Sequence, residues 1–442
     1  MNAVARIDFA APDGMLRRRL HSSGFMPDIA FQNIHDFSDA FRKLHFLEAR
    51  THDQALANPG ERVVDTHFVF PNLRADPADP ANYFFAATDH LLGNCRACGT
   101  QIMYRLGTSI EHTKGRHFNA VAPDDFEHYA EVMAGIVRHY NHGWADGFHW
   151  GIPCWEVWNE PDLGELMWNA SMEEYHRLYA VVAKRLKAEF PEIKIGGPAL
   201  CGLNEPLIRN FLAHCRDHGA PVDFLSWHCY TSDVDKIVAL PVRARELLDA
   251  CGFEKTETML NEWHYLLSWE GLHRNVTPEG YEKAICGPAG MHGIDSAAFN
   301  ASVIARWHDT PLDSAYYYGC GLTTWGFLTL FQGLNKNYHG MRFVGELMTR
   351  FPNRVKAEAA SPTISLLAGT DGAGRIGILV ADYRGEGLDL ALDIAGLGAP
   401  RALEVQRLDQ ASDPKPVEAS FADGRLVLRK ASPGSAVFFI TG

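Results

Sequence analysis

The chain has 442 residues with 46% hydrophobic content, which allows a large buried core in one big barrel with an appendage or in about two or three domains. Lysine plus arginine is 41 and aspartate plus glutamate is 54, and the net charge of −13 argues against nucleic acid or an anionic membrane as the main partner. The first 20 residues contain no apolar stretch of signal-peptide length, no window could span a membrane, and the nine cysteines are scattered, so we expect a cytoplasmic protein with reduced thiols, or a periplasmic one if a leader is missing.

Strand-like and helix-like segments alternate from about residue 20 to residue 343. Eight short apolar runs predict strands at 20–25, 45–50, 101–106, 155–158, 193–195, 224–227, 258–260 and 315–318. Apolar residues recur at helical spacing within the segments 126–140, 175–186 and 297–307. Alternating strands and helices imply a parallel sheet, and eight strands over roughly 320 residues fit a (β/α)8 TIM barrel, which we assign to residues 10–350.

The composition changes after about Pro352. Residues 363–442 are rich in Gly, Ala, Leu and Val, and apolar residues alternate along 375–381, 388–394, 425–428 and 436–440. Glycines that favour turns separate these runs. We therefore expect a C-terminal antiparallel β-sandwich domain over residues 351–442, and residues 3–9 are a candidate N-terminal strand of the same domain.

The fourth predicted strand leads into the run Trp158-Asn159-Glu160-Pro161-Asp162. Pro161 removes a backbone donor and restricts the residues before it, so the Glu160 carboxyl is held in place. Asn159 beside it can donate a hydrogen bond to a ligand hydroxyl. The C-terminal ends of barrel strands form the active site in this fold, and a fixed glutamate there suits a general acid if a second carboxylate faces it.

The seventh predicted strand supplies a candidate for that second carboxylate. It reads Thr258-Met259-Leu260-Asn261-Glu262-Trp263, an apolar run that ends in glutamate and is followed by aromatic residues. The fourth and seventh strands are not adjacent, so Glu160 and Glu262 can face each other across the barrel mouth. Glycoside hydrolysis needs one carboxyl as proton donor and one as nucleophile or base, and this pair predicts that chemistry.

These residues resemble those of the clan A retaining glycosidases and, more narrowly, of glycoside hydrolase family 39, which includes β-xylosidases and α-L-iduronidases. The family places Asn-Glu-Pro-Asp after strand four, here residues 159–162, and a glutamate followed by an aromatic residue at strand seven, here Glu262 and Trp263. The resemblance covers the barrel and the trailing β-domain. It implies a β-xylosidase-like hydrolase that removes a terminal sugar, with a glycoside or oligosaccharide as its substrate and with no metal or cofactor.

The resemblance also implies roles for individual residues. Glu160 would be the acid/base and Glu262 the nucleophile of a double displacement, with the two carboxyls about 5–5.5 Å apart. Glu160 would need a raised pKa, while Glu262 would stay ionised. Because His228 and Tyr230 are two apart on a strand, they share a face, and Tyr230 is placed to hydrogen-bond Glu262. The residues expected to contact substrate are His52, Asn159, His228, Tyr230, Trp263, Tyr318 and Trp325.

The chain departs from the family pattern at the eighth strand. Family β-xylosidases tend to have a tryptophan at the end of this strand and an acidic pair in the next loop. Here the strand ends in Tyr316-Tyr317-Tyr318, and the loop 319–326 has no acidic pair. Tyr318 or Trp325 could supply the aromatic platform for a sugar, and the sugar itself stays open among xyloside, arabinoside, glucoside, galactoside and uronide.

Two other classes remain open at this stage. One is a carbohydrate-binding barrel without catalysis, against which the presence of both glutamates argues. The other is a metal-dependent hydrolase or isomerase, whose ligands would come from the histidines expected near the mouth, namely His112, His264, His292 and His339. Three further carboxylates, Glu111, Glu156 and Glu270, are expected near the mouth, and one of them is expected to touch substrate. The oligomeric state is not indicated by the sequence.

Overall fold

The structure is a computed structural model, which describes residues 3–27, 36–54, 62–110, 119–269, 272, 277–319, 321, 324–329, 333–397 and 402–442. The first strand, β1 (Ala5–Met15), belongs to a C-terminal sheet, and the next eight strands close into a parallel barrel in chain order. The barrel strands are β2 (Ser22–Ser23), β3 (Glu48–Arg50), β4 (Gln101–Leu106), β5 (Cys154–Val157), β6 (Lys194–Leu200), β7 (Phe224–Thr231), β8 (Glu257–Tyr265) and β9 (Ser314–Tyr317). The predicted (β/α)8 barrel is confirmed, and each predicted strand segment overlaps one of these eight strands.

Helices alternate with the barrel strands and surround them. The α-helices of the described residues are α1 (Ser38–Arg42), α2 (Thr66–Val69), α3 (Ala86–Ala97), α4 (Phe126–His142), α5 (Met172–Glu189), α6 (Glu205–Asp217), α7 (Val234–Ala250), α8 (Pro278–Tyr281), α9 (Ile294–Trp307) and α10 (Lys336–Arg350). Short 3-10 helices span Arg18–Leu20, Pro80–Asn82 and Pro161–Leu166, and a π-helical turn spans Glu282–Cys286. Within the described ranges, no helix has the length and apolar character needed to cross a lipid bilayer.

The long helices begin and end at residues that satisfy their free backbone groups. The Asp125 carboxylate accepts a hydrogen bond from the His128 amide at 3.0 Å and starts α4, and Gly143 ends it with a φ of 74°. Ser171 and Glu174 form a reciprocal capping box at the start of α5. Each helix then buries its apolar stripe against the barrel. The local signals and the tertiary packing therefore agree.

The C-terminal part of the chain forms one ten-stranded sheet that includes β1. Its other strands are β10 (Asn353–Ala359), β11 (Ile364–Thr370), β12 (Ile376–Asp382), β13 (Asp389–Ala395), β14 (Glu404–Asp409), β15 (Ser412–Val417), β16 (Ser420–Ala422), β17 (Arg425–Arg429) and β18 (Ala436–Thr441). The order is β15-β14-β18-β12-β11-β10-β1-β13-β17-β16. Leu366 and Val380 in one half share an apolar core with Leu392 and Leu428 in the other, so the sheet folds over itself as the predicted β-sandwich.

The strand β1 joins this sheet between two C-terminal strands. Ile7 pairs with Ala357 of the antiparallel β10 and with Ile394 of the parallel β13. β1 continues to Met15, so it is longer than the candidate segment 3–9. The N-terminal strand therefore fills the central position between β10 and β13 before the chain enters the barrel.

Alternate side chains of β12 and β18 face two different apolar cores. Even-numbered side chains of β12, such as Val380, face the sandwich core, whereas Leu379 belongs to the core shared with the barrel. Phe439 of β18 likewise packs on the barrel side, where its ring is 5.4 Å from that of Phe343 in α10. Because both faces of these strands are buried, the sandwich is attached to the barrel through a continuous apolar contact.

Candidate active site

Glu160 is fixed by the backbone around it. β5 ends at Val157, and the 3-10 helix Pro161–Leu166 begins directly after the glutamate. The Glu160 amide donates to the Ala199 carbonyl at 2.9 Å. Its φ of 44° and ψ of 52° lie in the left-handed region, not in the extended region that usually precedes proline. Trp158 also has a positive φ, of 76°, so the carboxyl is aimed by a strained turn that the neighbouring strand holds in place.

Glu262 lies inside a strand and not at its end, since β8 continues to Tyr265. The register between β7 and β8 shifts at this point: Leu260 pairs with Trp227, and Glu262 pairs with His228. Asn261 is the extra residue of this bulge. A bulge changes which face the following side chains occupy, and here it puts Asn261 and Glu262 on the inner side in succession.

His228 lies between the two carboxyls. Its Nδ1 is 2.7 Å from Oε1 of Glu160 and 3.6 Å from Oε1 of Glu262. One oxygen of each carboxyl and one nitrogen of His228 all lie within 4.8 Å of one another. This spacing is that of the closely placed carboxyls of retaining glycosidases, about 5–5.5 Å apart, and is too short for the roughly 6.5–9.5 Å of inverting enzymes.

The Glu262 carboxylate is buried among donors. Its Oε1 accepts a hydrogen bond from the Tyr230 hydroxyl, and its Oε2 lies 2.9 Å from Nε2 of His52 and 3.3 Å from Nη1 of Arg50. Burial alone would raise the pKa of this carboxyl, but the charges of His228, His52 and Arg50 outweigh it and hold the pKa well below its usual range. Glu262 is therefore ionised at neutral pH.

His52 connects Glu262 to a second carboxylate. Its Nδ1 is hydrogen bonded to Asp53, and its ring lies 5.3 Å from that of Phe25 and 5.1 Å from that of Tyr318. Burial alone would lower the pKa of His52, but the negative charges of Asp53 and Glu262 outweigh this effect and raise the pKa to about 9. An imidazolium thus stands beside the Glu262 carboxylate at neutral pH.

Arg50 holds the floor of the site together. Its Nε and Nη2 lie 2.8 and 2.7 Å from Oε2 of Glu156, and its Nη2 donates to Oδ1 of Asn159 at 2.5 Å. Ser226 and Asn261 donate to the other oxygen of Glu156, at 2.6 and 2.5 Å. The Arg50 and Glu156 side chains are fully buried. This network closes the inner end of the site and orients Asn159, whose Nδ2 makes no hydrogen bond with the described residues and is available to a ligand.

The expected aromatic side chains of the mouth come together. The Tyr318 ring centroid lies 5.6 Å from that of Trp325 and 5.9 Å from that of Tyr230. The Tyr230 and Trp325 centroids are 5.2 Å apart. Together with Phe25 they form a wall of rings next to Glu262.

Trp263 does not reach the site, and its prediction as a substrate-binding residue is wrong. Its side chain is fully buried on the outer side of β8, 4.9 Å from the ring of Trp307 in α9 and 5.2 Å from that of Tyr317. Neighbouring residues of a strand face opposite ways, so the residue after an inward Glu262 points outward to the helices.

One further expectation needs correction, and two stay predictions. His52 and His228, expected to hold sugar hydroxyls, contact the carboxyls of Glu262 and Glu160, and Nε2 of His228 makes no hydrogen bond with the described residues. Glu156 lies in the barrel interior under the site and not at the mouth, because its carboxylate is used by Arg50. Glu111 and Glu270 lie outside the described residues, as does His112.

The other histidines of the expected mouth cluster have separate partners. His264 is buried between the Tyr317 hydroxyl and the Tyr265 carbonyl, at 2.6 Å from each. His292 contacts the Thr324 carbonyl at 3.0 Å, and His339 lies in α10. In the part of the chain that the structure describes, the one group with metal-ligand spacing is Glu160, His228 and Glu262. Because the cations Arg50 and His52 already face Glu262, this group offers little excess negative charge to a metal ion.

Three residues of the site were not identified from the sequence. Arg50 and Asp53 flank His52 along the chain, and a charged residue within a strand that enters the mouth could have indicated Arg50. Trp269 lies in the loop after β8, with its ring 5.3 Å from that of Tyr230. This contact joins two separate segments of the chain, and no local sequence pattern shows it.

A (β/α)8 barrel with two facing carboxyls at its mouth is an arrangement found among glycoside hydrolases. Residues 74–245 match the sequence model described as "Glycosyl hydrolases family 39", so the resemblance to family 39 is confirmed over this segment, which contains Glu160, His228 and Tyr230. Glu262 lies beyond it.

Individual relatives agree with this assignment. A β-xylosidase of Geobacillus stearothermophilus is 36% identical over 116 residues, which are 26% of this chain and only 22% of that relative. The crystal structure of a glucosidase from Croceicoccus marinus aligns with a TM-score of 0.80 at 23% identity, covering 100% of this chain and 99% of the other. A family 39 β-xylosidase from Caulobacter crescentus aligns with a TM-score of 0.70 at 18% identity, covering 100% and 99%. At these identities the two structures bear on the fold alone.

Proposed function

We propose that this protein is a retaining glycoside hydrolase that removes a terminal sugar, with Glu262 as nucleophile and Glu160 as acid/base. The observation that carries the proposal is the position of His228, whose Nδ1 lies 2.7 Å from one carboxyl and 3.6 Å from the other. Two carboxyls this close leave room for the anomeric carbon between them, but not for an additional water between Glu262 and that carbon, as an inverting enzyme would need.

In the first step, Glu262 attacks the anomeric carbon while Glu160 transfers its proton to the leaving oxygen. Glu262 is suited to the attack because Arg50 and His52 keep it ionised and fixed. The bond from the anomeric carbon to the leaving group breaks, and an ester forms between the sugar and Glu262. Glu160, which is more exposed, with 15% of its side-chain surface accessible, is suited to exchange protons with substrate and water.

In the second step, Glu160 takes a proton from water, and the resulting oxygen attacks the anomeric carbon. Glu262 leaves as a carboxylate and returns to its hydrogen bond with Tyr230. The site thus carries out two inversions and retains the configuration. Asn159 is held by Arg50, and its amide makes no hydrogen bond as a donor within the described ranges, so it suits a sugar hydroxyl near the reacting carbon.

We further propose a β-xyloside as the substrate. The support is the local sequence similarity to the β-xylosidase of Geobacillus stearothermophilus. A glucoside is the second candidate, since the sequence leaves the sugar open and the eighth strand departs from the β-xylosidase pattern. A panel of 4-nitrophenyl glycosides, with xylose, glucose, arabinose, galactose and glucuronate as the sugars, distinguishes these possibilities.

The catalytic assignment is tested with Glu262→Ala and Glu160→Gln. We expect each variant to lose activity by roughly three orders of magnitude or more, while its circular dichroism spectrum stays unchanged. Azide should restore turnover to Glu262→Ala by replacing the missing nucleophile. A 2-deoxy-2-fluoro glycoside of the preferred sugar should label the peptide that contains Glu262, as detected by mass spectrometry.

The matched control is Glu192→Gln, which removes a carboxylate that is 57% exposed on the surface. It should keep the wild-type rate. Full activity of Glu262→Ala or of Glu160→Gln would overturn the assignment, and an inverted product in proton NMR would overturn the double displacement.

Two remaining parts of the proposal concern the chain as a whole. We propose that the catalytic barrel domain ends at residue 350, as expected, but begins after β1 and not at residue 10, and that the sandwich domain comprises residues 351–442 together with β1. The end of α10 at Arg350, the start of β10 at Asn353 and the pairing of Met15 with Asn353 support this division. We also propose a reducing, cytoplasmic location, supported by the free thiols of the cysteines in the described residues.

A further inference from the structure

A half-exposed tryptophan lies at the barrel mouth. Trp269 follows β8 in the chain, and 53% of its surface is accessible. Its ring centroid lies 5.3 Å from that of Tyr230 and 5.9 Å from that of Trp325. Among the described residues, the rings of Tyr230 and Trp325 thus lie near the indole, and about half of its surface remains accessible to solvent. This is the arrangement in which a tryptophan can receive the apolar face of a sugar.

The position of Trp269 relative to the reacting groups decides which part of a substrate it can meet. The Tyr230 ring that it contacts donates its hydroxyl to Glu262. The Tyr230 side chain therefore lies between Trp269 and Glu262, and Trp269 is the one of these three residues that is exposed to solvent. The inner end of the site is closed by the buried pair of Arg50 and Glu156. In the proposed enzyme the terminal sugar enters first, so the group that leaves extends outward past the rim.

Tyr318 and Trp325 differ from Trp269 in depth. Both are half-buried, and the Tyr318 ring also contacts His52 at 5.1 Å. Tyr318 therefore lies next to the residues that hold the carboxyls, where the terminal sugar would lie, and the more exposed Trp269 stands further out. The exposed indole therefore belongs to a different part of the substrate.

We propose that Trp269 is the stacking platform for the leaving sugar and so determines the enzyme's preference for its leaving group. This inference rests on the proposed glycosidase function. It predicts that Trp269 matters for a substrate whose leaving group is a sugar and matters much less for one whose leaving group is a single atom.

The test compares two substrates with the same terminal sugar, xylobiose and β-xylosyl fluoride. In Trp269→Ala, the ratio of kcat/KM for xylobiose to kcat/KM for the fluoride should fall about tenfold, the value of one aromatic stacking contact. Trp269→Phe should keep most of the wild-type ratio. If the wild type prefers glucosides, cellobiose and β-glucosyl fluoride replace the xylose pair.

Phe84→Ala is the matched control. Phe84 is 59% exposed, but it lines a surface groove with Gly143 and Trp144, which lie between α4 and β5 at the opposite end of the barrel strands. Its removal should leave the ratio unchanged.

A binding measurement keeps the test independent of turnover. In a Glu262→Ala background, adding Trp269→Ala should weaken binding of the disaccharide about tenfold in calorimetry. An unchanged ratio and unchanged binding, with both substrates still hydrolysed by the wild type, would overturn the role of Trp269 alone. Absence of hydrolysis by the wild type would instead overturn the proposed function.

Discussion

His52 and Glu262 form an ion pair at the centre of the site, with Nε2 of the imidazole 2.9 Å from Oε2 of the carboxylate. The other ring nitrogen is hydrogen bonded to Asp53, so one imidazolium is shared between two carboxylates. This relationship links the charge of the proposed nucleophile to a residue that titrates in the alkaline range.

The stability contributed by His52 should depend on pH. Its pKa of about 9 in the folded protein is above the ordinary value of 6.5, because Asp53 and Glu262 favour the charged ring against the effect of burial. The contribution is therefore complete below about pH 6.5 and is lost as the pH rises through 9. The difference in unfolding free energy between wild type and His52→Gln, measured in urea, should shrink across that interval.

His142→Gln serves as the control for this series. His142 is 45% exposed, pairs with the surface residue Glu192 and lies against the ring of Phe190, so its variant should differ from wild type by less than about 1 kcal/mol at every pH. A stability difference for His52→Gln that grew between pH 6.5 and 9 would contradict the charged imidazole.

Removing Arg50 should destabilise the fold and the site together. Arg50→Met leaves the Glu156 carboxylate buried without its cation, which costs about 3–5 kcal/mol of unfolding free energy. Replacing both partners, as in Arg50→Met/Glu156→Met, should recover much of that loss, because no charge stays buried and unpaired. Activity should stay low in both variants, since Glu262 and Asn159 lose their shared donor.

Urea unfolding and kcat/KM of the same preparations check this prediction. Arg74→Met is the control, because the Arg74 and Asp124 side chains are 86% and 81% exposed and the pair contributes less than about 1 kcal/mol. If the double variant is no more stable than Arg50→Met, the loss of unfolding free energy in Arg50→Met does not come from an unpaired charge.

Gly107 supports the strained turn of Glu160 from below. A methyl group at Gly107 would lie 2.9 Å from Cε3 and 3.0 Å from Cα of Trp158, and the φ of Gly107 is +116°. Trp158 cannot easily yield, because its amide donates to the Leu106 carbonyl at 2.7 Å. Gly107→Ala should therefore shift Trp158 and with it Glu160, lowering kcat/KM about tenfold or more.

Gly99→Ala separates backbone strain from steric contact. Gly99 also has a positive φ, of +85°, but a methyl group there would meet no heavy atom within 4 Å. Thermal unfolding should show a loss of about 1–2 kcal/mol for this variant, without an effect on kcat/KM. Equal losses of stability and activity in the two variants would argue against a role of Gly107 in placing Glu160.

The sequence alone determined the barrel, the trailing sandwich and the strands that bear the two glutamates. Each of these depends on short-range patterns: apolar runs of strand length, helical spacing between them, and an Asn-Glu-Pro turn after strand four. Because parallel barrel strands all end at one mouth, the positions of Glu160 and Glu262 along the chain were enough to predict that they face each other.

The tertiary structure decided what surrounds those glutamates. The bulge at Asn261 turns two successive residues of β8 inward, which strict alternation does not predict, and Trp263 after them points out to the helices. Arg50 binds Glu156 inside the barrel, although the two residues are 106 positions apart in the sequence. Trp269, in the segment after β8, contacts Tyr230 of β7. Such contacts depend on which distant segments meet when the barrel closes, so local periodicity carries no information about them.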